Sequence, residues 1–322
     1  MSNLTILVML IGAAILLAWF GLRAWRAKSP FVRWAGAATA SVLVVVLCLI
    51  SGIAVAGLYK MHLRHAPVPD LKIEESSEQI RRGEAITESF CGACHSRTGT
   101  LTGGVDIGKE LSPQLSSFVS SNLTSAGPLK HWSDGEIFRA IRNGVGADGR
   151  WLVIMSLTNA GKLSDDDTRA LIAYIRHQPG AGEPPGDPPD AFNFLGLLLL
   201  GAGQFPLGKP VFTGAIVAPP RGPTLEYGEY ILSYSDCREC RGAHLHGGVP
   251  GQLGPIGPDL NVVKDWTRAG FITNMRTGKD PYGHELSGQM PWRPIGTMSD
   301  DELSAIYEYL TRMPEVETAA TN

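Results

Sequence analysis

The first 58 residues contain no aspartate and no glutamate, although the whole chain of 322 residues has 31 of them. Two stretches within this segment, residues 4–22 and 35–58, also lack lysine and arginine. At a rise of about 1.5 Å per residue, each stretch is long enough to cross a hydrocarbon layer of roughly 30 Å. The sequence therefore predicts two transmembrane helices and a membrane anchor over residues 1–60.

The basic residues of the acid-free segment all lie between the two predicted helices; they are Arg23, Arg26, Lys28 and Arg33. Because positive loops stay in the cytoplasm, this loop is predicted to be cytoplasmic, with everything from about residue 59 onward outside. No positive charge precedes the first apolar stretch, so we interpret it as a retained helix rather than a cleaved signal peptide.

Cysteine is scarce as well, and five cysteines in 322 residues are too few for a disulfide scaffold. The net charge is −3, and the chain beyond the anchor carries more acidic than basic residues, which excludes a basic nucleic-acid-binding face. No nucleophile–base triad and no phosphate-binding loop stand out. What remains is a pair of Cys-x-x-Cys motifs, which hold four of the five cysteines.

These two motifs belong to an internal repeat. Residues 155–179 and 290–314 keep Met, Gly, Ser-Asp-Asp, Ala, Tyr and Pro in register. Further matched positions are Gly83 with Gly228, Cys91 with Cys237, Cys94 with Cys240, Trp132 with Trp266 and Arg142 with Arg276. The sequence therefore predicts a duplicated domain, over residues 75–180 and 225–315, joined by a Pro/Gly-rich linker over 181–224.

Each repeat is predicted to be helical. Ser164 and Ser299 precede acidic residues in the pattern of helix N-caps, and residues 134–142 and 268–276 are predicted to form a middle helix. The fold class is therefore all-α, with two transmembrane helices followed by two tandem helical domains. A third apolar run, residues 192–205, is too short to span a bilayer. For this run we favour docking on the bilayer surface or on a partner subunit over packing within the chain.

The first motif, Cys91-x-x-Cys94-His95, is the attachment signature of a c-type haem. Two thiols on one helical turn can form thioethers with the two porphyrin vinyl groups, and the next residue then presents an imidazole to iron. A redox dithiol belongs in a βαβ setting, which is absent from the predicted elements. A zinc site needs further ligands, and His131 and His177 are the other histidines of this repeat.

A methionine completes the expected ligand set. Met155 is the one methionine between Met61 and Met275, and its counterpart in the second repeat is also a methionine, Met290. A His/Met pair raises the haem potential and leaves no vacant coordination position, which suits electron transfer.

Both repeats resemble class I cytochrome c domains, and the whole chain resembles a membrane-anchored di-domain cytochrome c. The resemblance implies thioether anchors at Cys91 and Cys94, a proximal ligand at His95 and a distal ligand at Met155. In the second repeat it implies haem-binding roles for Cys237 and Cys240, with Met290 as an iron ligand. Residues 121–124 and 257–260 would line the rings, and Pro258 matches the usual proline of the family.

The second motif departs from the family because Arg241 stands where the histidine is expected. A guanidinium has no lone pair to offer to iron. Three outcomes stay open: no haem, with a disulfide or free thiols; a haem with Met290 on one side and an open position on the other; or ligation by His244 or His246. We favour loss or impairment of this haem.

The sequence thus predicts an electron carrier rather than a catalyst, with haem c held outside the cytoplasmic membrane by a two-pass anchor. The expected partners are a redox protein or the subunits of a membrane complex, respiratory or dehydrogenase, together with the lipid bilayer; nucleic acid is not expected. Two alternatives remain. One is a dihaem peroxidase-like enzyme with an open iron in the second domain, and the other is a structural subunit whose second domain lacks haem.

Overall fold

A computed structural model describes residues 2–109, 115–182, 190–252 and 254–313. In chain order the helices are α1 (Asn3–Trp25), α2 (Pro30–Lys60), α3 (Ser77–Ile86), α4 (Gly92–His95), α5 (Asp134–Asn143), α6 (Val153–Leu157), α7 (Asp165–His177), α8 (Phe194–Gly201), α9 (Leu225–Tyr234), α10 (Cys237–Arg241), α11 (Arg268–Thr277), α12 (Trp292–Ile295) and α13 (Asp300–Thr311). Two strands, β1 (Ser116–Ser117) and β2 (Ala191–Phe192), pair antiparallel. The predicted all-α fold class is confirmed.

The chain divides into two compact units, and the first comprises Met1–His65, Asp106–Phe118 and Pro189–Gly208. Helices α1 and α2 are long and apolar enough to cross a membrane, and they contain the two predicted spans. A proline opens α2, where its missing N–H costs nothing. Most large apolar side chains on both helices face outward rather than into a protein core.

The third apolar run forms α8, which packs against α2 within this unit. A Cβ atom on Gly57 would lie 2.2 Å from the carbonyl oxygen of Leu197, and one on Gly201 would lie 1.9 Å from that of Ile53. Only glycine permits so close a backbone approach. The Lys60 ammonium donates to two carbonyls at the C-terminal end of α8, each at 2.9 Å. Two glycines thus let this segment pack on α2 within the chain, while docking on the bilayer surface or on a partner subunit stays a prediction.

The second unit comprises Ala66–Val105, Val119–Pro188 and Lys209–Asn322, and it contains both repeats. One hydrophobic cluster includes Ile86 and Ile172 from the first repeat together with Ile231 and Leu303 from the second. The two repeats therefore share a core. The boundaries at residues 75–180 and 225–315 stay sequence predictions.

In each repeat the first helix crosses the last helix at a glycine. A Cβ atom on Gly83 of α3 would lie 2.1 Å from the carbonyl oxygen of Ala170 in α7. The matching Cβ on Gly228 of α9 would lie 2.0 Å from the carbonyl oxygen of Ala305 in α13. The paired glycines of the sequence repeat are thus required by direct helix–helix backbone contact.

The predicted N-caps are confirmed. Ser164 Oγ accepts from the Asp167 N–H at 3.0 Å and starts α7. Ser299 starts α13 with a capping box, in which its Oγ accepts from the Glu302 N–H and the Glu302 carboxylate accepts from the Ser299 N–H. The middle helices α5 and α11 also begin and end within a residue of the predicted ranges.

A buried polar network joins the two repeats. Arg82 donates from Nε and Nη2 to the two carboxylate oxygens of Asp167, at 2.7 and 2.9 Å, and from Nη1 to Glu302 at 2.6 Å. Tyr230 donates from its hydroxyl to Asp167 at 2.7 Å. Burial alone would raise the pKa of Asp167, but the hydrogen bonds from Arg82 and Tyr230 and the charge of Arg82 hold it below its ordinary value.

Substitution of the crossing glycines tests the helix contact. We expect Gly83→Ala or Gly228→Ala to lower the free energy of unfolding by about 1–3 kcal/mol, because the added methyl meets a backbone carbonyl that cannot rotate away. The matched control is Gly288→Ala, where a Cβ has nothing within 4 Å. Thermal or denaturant unfolding of the detergent-solubilised chain measures the difference, and equal stability of the three variants would contradict the contact.

The network also predicts a pH dependence. Because the folded-state pKa of Asp167 is depressed, its stabilisation is complete above the ordinary value of about 3.9 and is lost as pH falls through the lower folded value. At neutral pH, Asp167→Asn should cost about 3 kcal/mol, because the buried Arg82 charge loses one of its two carboxylate partners and keeps only Glu302. Unfolding measured from neutral to acid pH should show wild type and variant converging in acid, and a gap independent of pH would refute the account.

Candidate haem sites

The first Cys-x-x-Cys motif lies on a continuous helical path. A single π-helical turn, Thr87–Cys91, continues α3, and α4 follows at once with Cys94 and His95. A π turn inserts an extra residue into a helix and re-aims the side chains after it. The crossing of α3 with α7 therefore positions the two thiols and the imidazole on consecutive turns.

His95 is oriented for ligation through its outer nitrogen. Its Nδ1 lies 3.0 Å from the carbonyl oxygen of Ser121, and because a carbonyl only accepts, Nδ1 carries the proton and donates. Nε2 then keeps its lone pair, which is the arrangement a metal-ligating histidine needs. Burial lowers the pKa of His95, although the hydrogen bond to Ser121 opposes this, so the neutral ring is favoured.

The pKa of Cys91 does not favour a redox dithiol. Burial, together with the neighbouring Cys94, raises the pKa of Cys91 to about 12, whereas a reactive dithiol needs a lowered pKa to supply thiolate. A zinc site is also without support, since the described residues contain no cluster of three or more His, Cys, Asp or Glu that could hold a metal ion.

Met155 lies in α6, half-buried, and packs with Cys91 and Phe90 against the core of the second unit. The first repeat therefore provides two thiols, an imidazole nitrogen with its lone pair kept for a metal, and a thioether sulfur. This donor set fits haem c, which Cys91 and Cys94 would attach covalently and which His95 and Met155 would ligate.

The second repeat places Arg241 in the position of His95. The backbone N–H of Gly103 bonds to the His95 carbonyl at 2.9 Å, and the N–H of Gly247 bonds to the Arg241 carbonyl at 3.0 Å in the same way. Cys237, like Arg241, lies on the short helix α10. The two motifs therefore share a backbone framework and differ in the side chain that would meet the iron.

The guanidinium of Arg241 is buried and makes two hydrogen bonds within the second repeat. Nη1 donates to the carbonyl oxygen of Pro258 at 3.2 Å, where His95 bonds to the carbonyl of Ser121 in the first repeat. Nη2 donates to the sulfur of Met290 at 3.0 Å. The residue that replaces the proximal ligand thus contacts the residue expected as the distal ligand, and this donor set does not fit haem c.

The alternatives for the second motif are also constrained. Cys237 and Cys240 are not joined by a disulfide. His244 is exposed, and His246 Nδ1 lies 2.6 Å from the amide nitrogen of Asn261. In this structure His246 thus makes its contact with Asn261, and His244 faces solvent.

The loop after the second motif is shorter than its counterpart. Leu245 follows Arg241 by four positions, whereas Leu101 follows His95 by six. Leu245 is fully buried and adopts φ = 64°, a left-handed conformation that leucine disfavours. The shortened loop thus closes over α10 under backbone strain.

Sequence reasoning missed one group of residues near Met155. Asp236, directly before Cys237, and Glu239, inside the second motif, both contact Asn159 of the first repeat. An acidic residue on each side of the first cysteine is visible in the sequence, but nothing local indicates a partner 77 residues away.

Comparisons with known proteins agree with this arrangement. Residues 78–175 match the family model described as cytochrome c oxidase, cbb3-type, subunit III. The chain is 26% identical over 273 residues to the cytochrome c subunit of the quinone alcohol dehydrogenase of Gluconobacter oxydans, covering 74% of this chain and 55% of that one. It is 25% identical over 264 residues to a diheme cytochrome c-type protein of Cereibacter sphaeroides, covering 74% and 87%.

A third relative is the gluconate 2-dehydrogenase cytochrome c subunit of Pantoea cypripedii, 23% identical over 276 residues and covering 75% of this chain and 61% of that one. The chain thus spans little more than half the length of the two dehydrogenase subunits. The motif, the donor set of the first repeat, the duplicated helical framework and these relatives agree: the chain is similar to c-type cytochromes of the di-domain type.

Proposed function

We propose that this chain carries electrons between a membrane-bound dehydrogenase and a later acceptor, on the outer side of the cytoplasmic membrane. The observation that carries the proposal is the donor set of the first repeat, with His95 held by Ser121 and Met155 packed against the same core as Cys91. Two relatives are cytochrome c subunits of dehydrogenases, which supports membership of such a complex. The helices α1 and α2 support a two-pass anchor, and the basic loop between them supports its orientation.

Haem c bound in the first repeat would supply a one-electron Fe(III)/Fe(II) couple. Cys91 and Cys94 would attach it covalently, and His95, whose Nδ1 is held by the Ser121 carbonyl, would bind the iron through Nε2. Met155 would complete the ligand set and leave no position for oxygen or peroxide. These roles favour outer-sphere electron transfer over catalysis at iron.

For the second repeat we propose that no haem is bound and that the domain has a structural role. The Arg241 contacts with Pro258 and Met290 support this, because the guanidinium satisfies the groups that would otherwise face the cofactor. They also count against the peroxidase-like alternative, which needs an open iron in this repeat. The diheme relative from Cereibacter sphaeroides makes the number of haems a direct test.

Haem content distinguishes these proposals. Purified from cells with a c-type maturation system, the chain should show one haem per polypeptide by pyridine haemochrome. Cys91→Ala should lower covalent haem strongly, because one thioether is lost, while Cys240→Ala should leave it at one. Cys48→Ala, a cysteine of α2 outside both motifs, is the matched control. Two haems in the wild type would overturn the haem-free second repeat, and none would overturn the central proposal.

Electron flow and sidedness are testable together in intact spheroplasts. A dehydrogenase substrate such as an alcohol or gluconate should reduce the haem, and membrane-impermeant ferricyanide should reoxidise it, because the haem domain lies outside. A His95→Ala chain should show no such cycle. A reduced haem that ferricyanide reoxidises only after lysis of the spheroplasts would lie on the cytoplasmic side.

A further inference from the structure

The C-terminal end of the Met155 helix is held by the second haem motif. Asn159 follows Met155 by four residues, and its backbone N–H and its side-chain Nδ2 both donate to Asp236 Oδ1, each at 2.7 Å. The same Nδ2 also donates to Glu239 Oε1 at 2.9 Å. Asn159 is 3% exposed, so water does not compete for these bonds.

A second tie reaches the same helix end. The backbone N–H of Lys209 bonds to the carbonyl of Ser156 at 2.8 Å, and Lys209 Nζ donates to the carbonyl of Leu157 at 2.7 Å. Lys209 Nζ also donates to Glu239 at 2.8 Å. The last carbonyls of a helix have no partner within the helix. In α6 the carbonyls of Ser156 and Leu157 accept hydrogen bonds from Lys209, which lies outside the first repeat.

Asp236 makes its contacts from an unusual backbone conformation. Its φ is 57°, in the left-handed region, and it immediately precedes α10. Among non-glycine residues aspartate and asparagine tolerate this region best, yet it still costs free energy that surrounding contacts must offset. The two bonds to Asn159 are the contacts that this conformation makes possible.

We propose that Asp236 is a positioning residue for the axial ligand of the first repeat, so that the degenerate second motif acts as a clamp on the Met155 loop. The inference rests on the proposed function, since it takes Met155 as the ligand of a haem held at His95. A methionine sulfur is a weak, neutral iron ligand, and its residence on the iron depends on how firmly its loop is held. Release of the clamp should open that face of the iron to external ligands.

The test uses the full-length haem-loaded chain and two readouts of methionine ligation. The first is the long-wavelength charge-transfer band of sulfur-ligated ferric haem, and the second is the rate at which cyanide binds the ferric form. Asp236→Gly removes the carboxylate while relieving the left-handed strain. We expect a weakened band and cyanide binding faster by about tenfold or more, since hydrogen bonds to a charged acceptor are lost.

Matched variants separate positioning from general destabilisation. Asp236→Asn keeps an acceptor oxygen and tolerates the left-handed backbone, so cyanide binding should lie close to the wild-type rate. Asp301→Asn removes an exposed carboxylate of the second repeat and should change nothing. Asn159→Ala keeps the backbone bond but loses both side-chain bonds, and it should accelerate cyanide binding less than Asp236→Gly. This variant also decides the matter if Asp236→Gly fails to fold.

The outcomes are distinguishable from failure of the proposed function. A wild-type chain without haem, or with haem but without the charge-transfer band, would overturn the assignment of Met155 itself. Suppose that the wild type has both the haem and the band, and that Asp236→Gly and Asn159→Ala both bind cyanide at the wild-type rate. This result would overturn the clamp and leave the proposed function standing.

Discussion

The direct backbone contact between the first and last helices of each repeat is the constraint on which the rest of the second unit depends. At Gly83 and Gly228 the facing carbonyl lies where a side chain would begin, so the two helices meet without any intervening side chain. That approach fixes the direction in which α3 and α9 end. The cysteine motifs begin at those ends, so the glycine crossings determine where each pair of thiols can point.

The two repeats share a backbone framework but place side chains of different chemistry after the second cysteine. In the first, the residue after the second cysteine is a histidine whose ring is fixed by a carbonyl and whose other nitrogen keeps its lone pair. In the second, Arg241 stands at that position and donates hydrogen bonds to the carbonyl of Pro258 and to the sulfur of Met290. The repeats are joined by the shared core, by the bonds of Arg82 to Glu302 and of Tyr230 to Asp167, and by the bonds of Asn159 to Asp236. These contacts are consistent with the structural role that we propose for the second repeat.

Local signals in the sequence predicted local structure well. The caps at Ser164 and Ser299, the middle helices and the two long apolar helices all lie where spacing and composition place them. The chemistry of Arg241 was also predictable as an inability to ligate iron, because that follows from the guanidinium alone. Its contact with Met290 was not, since it joins side chains 49 residues apart through the tertiary fold.

The other contacts that the sequence did not predict also join residues that lie far apart in the chain. The apolar segment of α8 was correctly judged too short to span a bilayer, but its packing on α2 depends on Gly57 and Gly201 meeting across a long sequence separation. The tie between Asn159 and Asp236 likewise depends on one residue in a left-handed conformation, which a common residue type such as aspartate does not indicate. Periodicity and motif spacing carry no information on such pairs.

The buried contact between Arg241 and Met290 has a consequence for stoichiometry. If this contact keeps haem out of the second repeat, as we propose, the chain stores a single electron on one iron, whereas a dehydrogenase of the kind proposed as its donor removes two electrons from each substrate molecule. Under this proposal the donor would hold the second electron until the chain has passed on the first, and each substrate molecule would require two transfers to the acceptor. The rate of electron transfer through the chain would then be limited by how quickly the single haem is reoxidised. The donor would also need a cofactor that can hold one electron as a stabilised radical.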